Sequence, residues 1–274
     1  MGGIIWRSIM RRVLGIVLAT TVLAAPALAA DMAYPAKAPP VPYGPAFAWT
    51  GTYMGANLGG IWGTFDMTAF ATNNLTGAVA SPGTISMSPS SLIGGFQVGY
   101  NWQVGTWVLG IEQDYQFTGL KQTFSFAAPS APFLAGDSLS IKTDYLAATR
   151  AKLGVAWDRV MVYAAGGLET GEFDGSAIHV ARGVGGSPAQ GFTDADKLHF
   201  GFNVGAGVEY AMTNNVFLGV EYRYVDLGKK TYNLGAFTPA GGAAQTVTNA
   251  ISLTSSQVTA RLNFKLNGLG LFGM

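Results

Sequence analysis

The stretch Phe200–Tyr224 reads FGFNVGAGVEY (200–210), AMTNN (211–215) and VFLGVEYRY (216–224), and its two arms decide the fold. In the first arm Phe200, Phe202, Val204, Ala206, Val208 and Tyr210 share one parity, and Gly201, Asn203, Gly205, Gly207 and Glu209 share the other. The second arm repeats the pattern, with Val216, Leu218, Val220, Tyr222 and Tyr224 alternating against Gly219, Glu221 and Arg223. Side chains on a strand point to opposite faces with period two, so each arm is a strand with one apolar face and one small or charged face. The Thr213, Asn214 and Asn215 cluster between the arms predicts a tight turn built on left-handed backbone conformations.

Working outward, the same alternation predicts eight strands, at 49–63, 92–102, 107–118, 140–155, 160–173, 198–211, 216–227 and 257–266. Short connections at 103–106, 156–159 and 212–215 alternate with long ones, rich in Gly, Ser, Thr, Asn and Pro, at 64–91, 119–139, 174–197 and 228–256. A meander of this kind puts every short turn at one end and every long loop at the other. That is the asymmetry of outer-membrane barrels, with short periplasmic turns and long extracellular loops. Strand pieces at Thr84–Ser88 and Gln122–Phe126 are expected to extend hairpins above the membrane.

Composition agrees. The 274 residues are 49% hydrophobic and only 11% charged, below the charge content of an ordinary soluble domain. Outside the N-terminus there is no run of about 18 apolar residues, which argues against helical spans. The predicted class is all-β, an eight-stranded antiparallel up-and-down transmembrane barrel.

Residues 1–29 read as an export signal, with Arg7, Arg11 and Arg12 before an apolar Val13–Leu23 segment and a small-residue Ala27-Leu28-Ala29 cleavage site. Residues 30–48, rich in proline, read as a periplasmic tether. The barrel is expected over 49–266, followed by a C-terminal extension at 267–274. Removing the three signal arginines leaves 13 basic against 15 acidic residues, and nothing in that balance asks for nucleic acid. The absence of Cys excludes disulfide staples and Cys-based metal or nucleophile sites.

Over 107–117, 144–155, 160–169 and 258–266 the charges of each segment keep to one parity. The many glycines on that parity fit the narrow interior of an eight-stranded barrel, so charge and glycine belong inside and apolar residues face lipid. The lumen set is then Glu112, Asp114, Asp144, Glu169, Glu209 and Glu221 against Arg150, Lys152, Arg223, Arg261 and Lys265. Enclosed charges must pair or meet water. The set reads as an ion-pair network filling the barrel or, alternatively, as a narrow polar pathway for small solutes. Trp49, Trp102, Trp107, Trp157, Tyr210 and Tyr222, with Tyr100 and Tyr224, are expected to form interfacial girdles.

No nucleophile motif, metal-ligand spacing or cofactor fingerprint is present, so neither an enzyme nor a cofactor is expected. His179 and His199, the only histidines, read as solvated loop residues, with a haem or metal ligand at the barrel mouth as the sharper alternative.

The segments Trp49–Gly55, Gly94–Gln103, Gly110–Glu112, Trp157–Tyr163, Val204–Tyr210 and above all Glu221–Gly228 (EYRYVDLG) resemble the small alphaproteobacterial outer-membrane barrels known as outer-membrane immunogenic or porin-like surface proteins. The resemblance implies a barrel like the membrane domain of OmpA, at the cell surface, supporting envelope integrity and exposing antigenic loops. Weak pore activity or haem binding is linked to some relatives. Expected partners are outer-membrane lipid and lipopolysaccharide, the barrel-assembly machinery, and peptidoglycan or another periplasmic contact through the tether. These barrels usually end at an aromatic residue of the last strand. Here Leu262-x-Phe264-x-Leu266 carries the alternation and Asn267–Met274 continues past it.

Overall fold

The computed structural model describes residues 47–81, 83–127, 136–178, 190–191, 198–237 and 243–266. The predicted export signal, most of the tether, the C-terminal extension and His179 lie outside the described residues.

Eight long strands form the wall: β1 (Gly51–Asn73), β4 (Ser90–Val104), β5 (Trp107–Ser125), β6 (Ser138–Trp157), β7 (Val160–Ile178), β9 (Leu198–Ala211), β10 (Val216–Phe237) and β11 (Gln245–Lys265). Three short strands, β2 (Val79–Ala80), β3 (Thr84–Met87) and β8 (Gln190–Gly191), add to the sheet at the long-loop end. The long strands pair antiparallel in the order β11-β10-β9-β7-β6-β5-β4-β1. The ring closes through β1 and β11, in register from Tyr53↔Lys265 to Asn73↔Gln245. Among the described residues every long strand of the lower band is paired on both sides, the condition for a sheet to span a bilayer.

The short turns are tight. Gly105 and Asp158 take left-handed φ values of 62° and 51°. The third turn, at 212–215, contains no left-handed residue; it is held instead by the Thr213 hydroxyl, which accepts from the backbone N–H of Asn215 (3.2 Å) and Val216 (3.0 Å). The Asn pair is therefore not the conformational device the sequence suggested.

The larger correction concerns strand length. Segments read as long loops carry strand, so that β1 runs ten residues beyond the expected Gly63 and β11 begins at Gln245 rather than 257. Along the strands the inward face continues, its parity shifted by bulges on β6 and β10, while its chemistry inverts. On β1, Met54, Leu58 and Trp62 face out and are more than half exposed. Beyond them the outward positions become Thr64, Asp66 and Thr68, while Phe65, Met67, Ala69 and Ala71 are buried inside. On β11 the outward Val258, Ala260, Leu262 and Phe264 give way to Ser256, Thr254 and Ser252, and the inward Arg261, Thr259 and Gln257 to Leu253 and Ile251. The barrel thus has two stacked regions. The lower is apolar outside and polar inside; the upper is polar outside and apolar inside.

No described outward residue of the lower band is charged. Two polar side chains on this face, Gln113 on β5 and Thr149 on β6, meet each other, the Gln113 amide oxygen accepting from the Thr149 hydroxyl.

Candidate functional site: the enclosed polar network

The lower interior is built by inward side chains from all eight long strands. Glu112 and Asp114 come from β5, Arg150 and Lys152 from β6, Glu169 from β7, Glu209 from β9, Glu221 and Arg223 from β10 and Arg261 from β11. Tyr53 and Asn57 of β1, Gln97 of β4 and Tyr163 of β7 join them, and none of these thirteen is more than 8% exposed.

Glu221 is the hub. It accepts from Arg150 Nη1 (2.7 Å), Arg223 Nη2 (3.1 Å), Arg261 and the Tyr163 hydroxyl (2.7 Å). Glu112 is its counterpart, meeting Arg150, Arg261 and the Tyr53 hydroxyl (2.7 Å). Asp114 receives Arg223 Nη2 at 2.7 Å and lies 3.3 Å from Arg150 Nε. Lys152 lies 3.4 Å from Glu209 and sits over the Tyr163 ring at 4.4 Å. Glu169 stands apart, with Arg223 Nη1 at 3.9 Å.

Amides extend the network. Asn57 donates to Gln97 (2.7 Å), Gln97 to Asn263 (2.7 Å), and Gln116 to Asn57 (3.1 Å). Bidentate, charge-assisted contacts of this density suit arginine, whose planar fork serves two carboxylates at once.

Two tyrosines are seated by glycine. A Cβ added at Gly99 would stand 2.5 Å from the Tyr53 hydroxyl oxygen, and one at Gly207 would stand 2.6 Å from that of Tyr163. Each ring lies flat over a bare backbone on a neighbouring strand, and this aims its hydroxyl at a carboxylate.

Apolar layers cap the network at both ends. Below it, at the short-turn mouth, Phe47, Trp49, Val108, Ala156, Met161, Ala211 and Phe217 pack together. Phe47 and Trp49 precede β1 and cross this mouth. Trp49 Nε1 donates to the Asp158 carbonyl (3.3 Å), and its ring meets Phe217 edge-on at 5.4 Å. Above the network, the upper barrel's core includes Ile61, Phe65, Ile93, Leu120, Ile141, Leu146, Phe173, Val225, Leu227, Ile251 and Leu253.

Four sequence expectations are corrected. Asp144 is not in the lumen. The β6 register shifts between Thr143 and Leu146, so parity does not carry through; its carboxylate is on the outside, 2.7 Å from Lys142 Nζ, with the side chain 62% exposed. Lys265 has the inward parity but ends at the mouth, where its ammonium meets the Ala48 carbonyl and the Phe47 ring and joins no carboxylate of the network. Trp49 is 1% exposed and belongs to the lower cap rather than a girdle; the chain enters β1 through Gly51, with φ of 137°. His199 is buried rather than solvated, edge-on to Phe173 and stacked on Tyr232 in the upper core.

The other aromatics are on the outer face. Trp102, Trp107, Trp157 and Tyr210 are at least half exposed beside the short turns. Tyr222 lies toward the opposite rim of the band, its hydroxyl 3.0 Å from Ser256 Oγ. Sequence reading did not assign roles to Tyr53, Asn57 and Gln97. The available signal was their place opposite the apolar parity of Met54, Ala56 and Leu58 on β1 and of Phe96 and Val98 on β4.

Among the described residues no cluster of His, Asp and Glu is arranged to hold a metal. No carboxylate of the network is open to a substrate.

A closed antiparallel ring with an uncharged apolar belt and an enclosed polar interior defines a transmembrane β-barrel. The chain belongs to the family described as outer membrane protein beta-barrel domain, whose profile matches residues 15–269. It is 30% identical over 267 residues to the 31 kDa outer-membrane immunogenic protein of Brucella melitensis, covering 97% of this chain and 98% of that protein. It is 28% identical over 199 residues to the 22 kDa outer membrane protein of Rhizobium leguminosarum, covering 72% and 74% respectively. Among solved structures, OprG of Pseudomonas aeruginosa matches with a TM-score of 0.45 at 12% identity, over 80% of this chain and 98% of that one. The protein is thus an outer-membrane β-barrel, of a family named for its place in the membrane and not for an enzymatic activity. By the usual orientation the short turns are periplasmic and the upper barrel extracellular.

Proposed function

We propose that this protein is a non-enzymatic structural element of the outer membrane, a sealed barrel that supports envelope integrity and carries an extended extracellular wall. The observation that supports this most directly is the placement of the ion-pair network between two apolar layers. A conducting pathway needs continuous polar lining, and here solvent or solute leaving the charged layer meets Trp49 and Phe217 on one side and Phe65, Leu120 and Phe173 on the other. The charges are committed to one another. Arg150 and Arg261 each hold both Glu112 and Glu221, so passage of an ion would require several buried pairs to part together. Partners consistent with this role are outer-membrane glycolipid around the wall, the assembly machinery that inserts the barrel, and a periplasmic contact made through the residues preceding Phe47.

Solute flux through liposomes containing the refolded full chain tests the reading. Flux is expected to equal that of empty liposomes for the wild type. Flux in the wild type that changes in Glu221→Ala and Arg223→Ala would replace the sealed barrel with the narrow channel.

A further inference from the structure

The outer face changes abruptly where the two regions meet. On β5 the last lipid-facing residue is Phe117, 59% exposed, and after the bulge that follows it the next side chain on the ladder's outer face is Lys121. On β6 Lys142 is directly opposite Lys121 in the register. Both point outward, since their neighbours Leu120, Ile141 and Thr143 are buried inside. Like charges directly opposed on a sheet are unfavourable unless something offsets them. Lys142 is offset by Asp144 at 2.7 Å and Asp174 at 3.6 Å. Lys121 has no ion-pair partner among the described residues, and the carboxylates of Asp144 and Asp174 meet Lys142.

The chemistry around this pair is layered along the membrane normal. Below it lie Phe117 and, on β7, Leu168, 70% exposed, which suit acyl chains. Above it the outer face of the same two strands carries hydroxyls, with Thr123 donating to Ser140 at 3.1 Å. Apolar surface, then ammonium, then hydroxyl is the order of acyl chain, phosphate and sugar in a phosphorylated glycolipid standing in the outer leaflet. We infer that Lys121 and Lys142 form a headgroup site on the β5–β6 wall for the phosphate of such a glycolipid, with Phe117 and Leu168 against its acyl chains and the Thr123–Ser140 row against its sugars. The inference rests on the outer-membrane orientation and not on the sealed lumen, so a conducting wild-type barrel would overturn the proposed function and leave this site standing.

The test is titration of the refolded full chain in detergent with diphosphoryl lipid A, its dephosphorylated form and inorganic phosphate, with bound lipid counted by native mass spectrometry. Heat-modifiable mobility on gels confirms that each variant is folded. Lys121→Gln and Lys142→Gln are each expected to weaken diphosphoryl lipid A binding about fivefold, from the worth of one lysine at an anionic lipid surface. Lys229→Gln, on β10 across the barrel, is expected to leave this site unchanged. Equal binding by wild type and the Lys121→Gln/Lys142→Gln double variant would overturn the site. So would equal loss in Lys229→Gln, which would mean diffuse attraction, or equally tight binding of the dephosphorylated lipid. Displacement of bound lipid A by millimolar inorganic phosphate would overturn the lipid as its ligand.

Discussion

The lower and upper barrel are built from the same strands, with opposite chemistry on the inward face. On β1 Asn57 and Phe65 both point into the ring, and Leu58 and Thr64 both point out. What differs is the surrounding solvent. Below, lipid demands an apolar exterior, so polarity is the only contrast left for the interior, and that contrast fixes register: a one-residue slip would send Glu112, Arg150 and Glu221 into hydrocarbon. Above, water accepts a hydroxyl exterior and the interior can be an ordinary dry core. Each region sets the register of the other because the strands run through both.

The largest expected effect that separates the regions is at the hub. Glu221→Ala leaves Arg150, Arg223 and Arg261 facing one another without their shared carboxylate, and unpairing buried charge of this kind costs about 3 to 5 kcal/mol. Denaturant unfolding in detergent is expected to show that loss for the whole barrel. Phe173→Ala, in the upper core, is expected to cost about 3 kcal/mol through the cavity it leaves. Its loss should appear as faster proteolysis of the extracellular wall while the heat-modifiable lower barrel persists. Equal proteolysis of both regions would mean that they unfold as one unit.

Next in size is a pair of substitutions on one face of one strand. Leu58→Lys places an ammonium in the lipid band, at about 2 to 4 kcal/mol. Thr72→Lys, outward on the same strand in the upper barrel, is expected to stay within about 0.5 kcal/mol. Similar costs for the two would remove the boundary between the regions.

How much of this was legible in the sequence follows from the same division. The lower barrel could be read because its alternation is extreme, with Phe, Val and Leu against Gly, Glu and Arg. The upper barrel was legible only in the strand pieces at Thr84–Ser88 and Gln122–Phe126, because elsewhere Phe65, Met67 and Ala69 alternate with Thr64, Asp66 and Thr68, and this Thr-, Ser- and Asn-rich composition resembles loop. Ile251 and Leu253 between Ser252 and Thr254 carried the same weak signal. Asp144 was misplaced because a bulge cannot be seen in parity, and Trp49 because an aromatic at a strand end suits an interfacial girdle as well as a plug. The network's charged members were visible from parity alone. The seating of Tyr53 and Tyr163 over Gly99 and Gly207 depends on neighbouring strands and needed the register.

That seating gives a smaller prediction. Gly207→Ala is expected to push Tyr163 off its carboxylate and to cost about 1 to 3 kcal/mol by overpacking, whereas Gly105→Ala, with open space around it, should show only the strain of its left-handed φ. The smallest effect belongs to the boundary row. The hydrogen bond from Lys142 to Asp144 raises the lysine above its ordinary value of 10.5. Its stabilisation is fully present below that value and is lost as pH rises through the higher folded-state value. The pair is open to solvent and screened, so the loss should be well under about 1 kcal/mol and absent from Lys142→Gln.

The chain contains no cysteine, so single cysteines placed along β1 from residue 53 to 72 report each position without background. Labelling of the barrel in liposomes by a water-soluble maleimide, with quenching of a cysteine-bound fluorophore by brominated lipid, reads water and lipid separately. Two stacked regions with a sealed interior predict lipid quenching at even positions 54 to 62, aqueous labelling at even positions 64 to 72, and neither at odd positions. Aqueous labelling of odd positions through 53 to 61 would show a water-filled lumen and contradict the account.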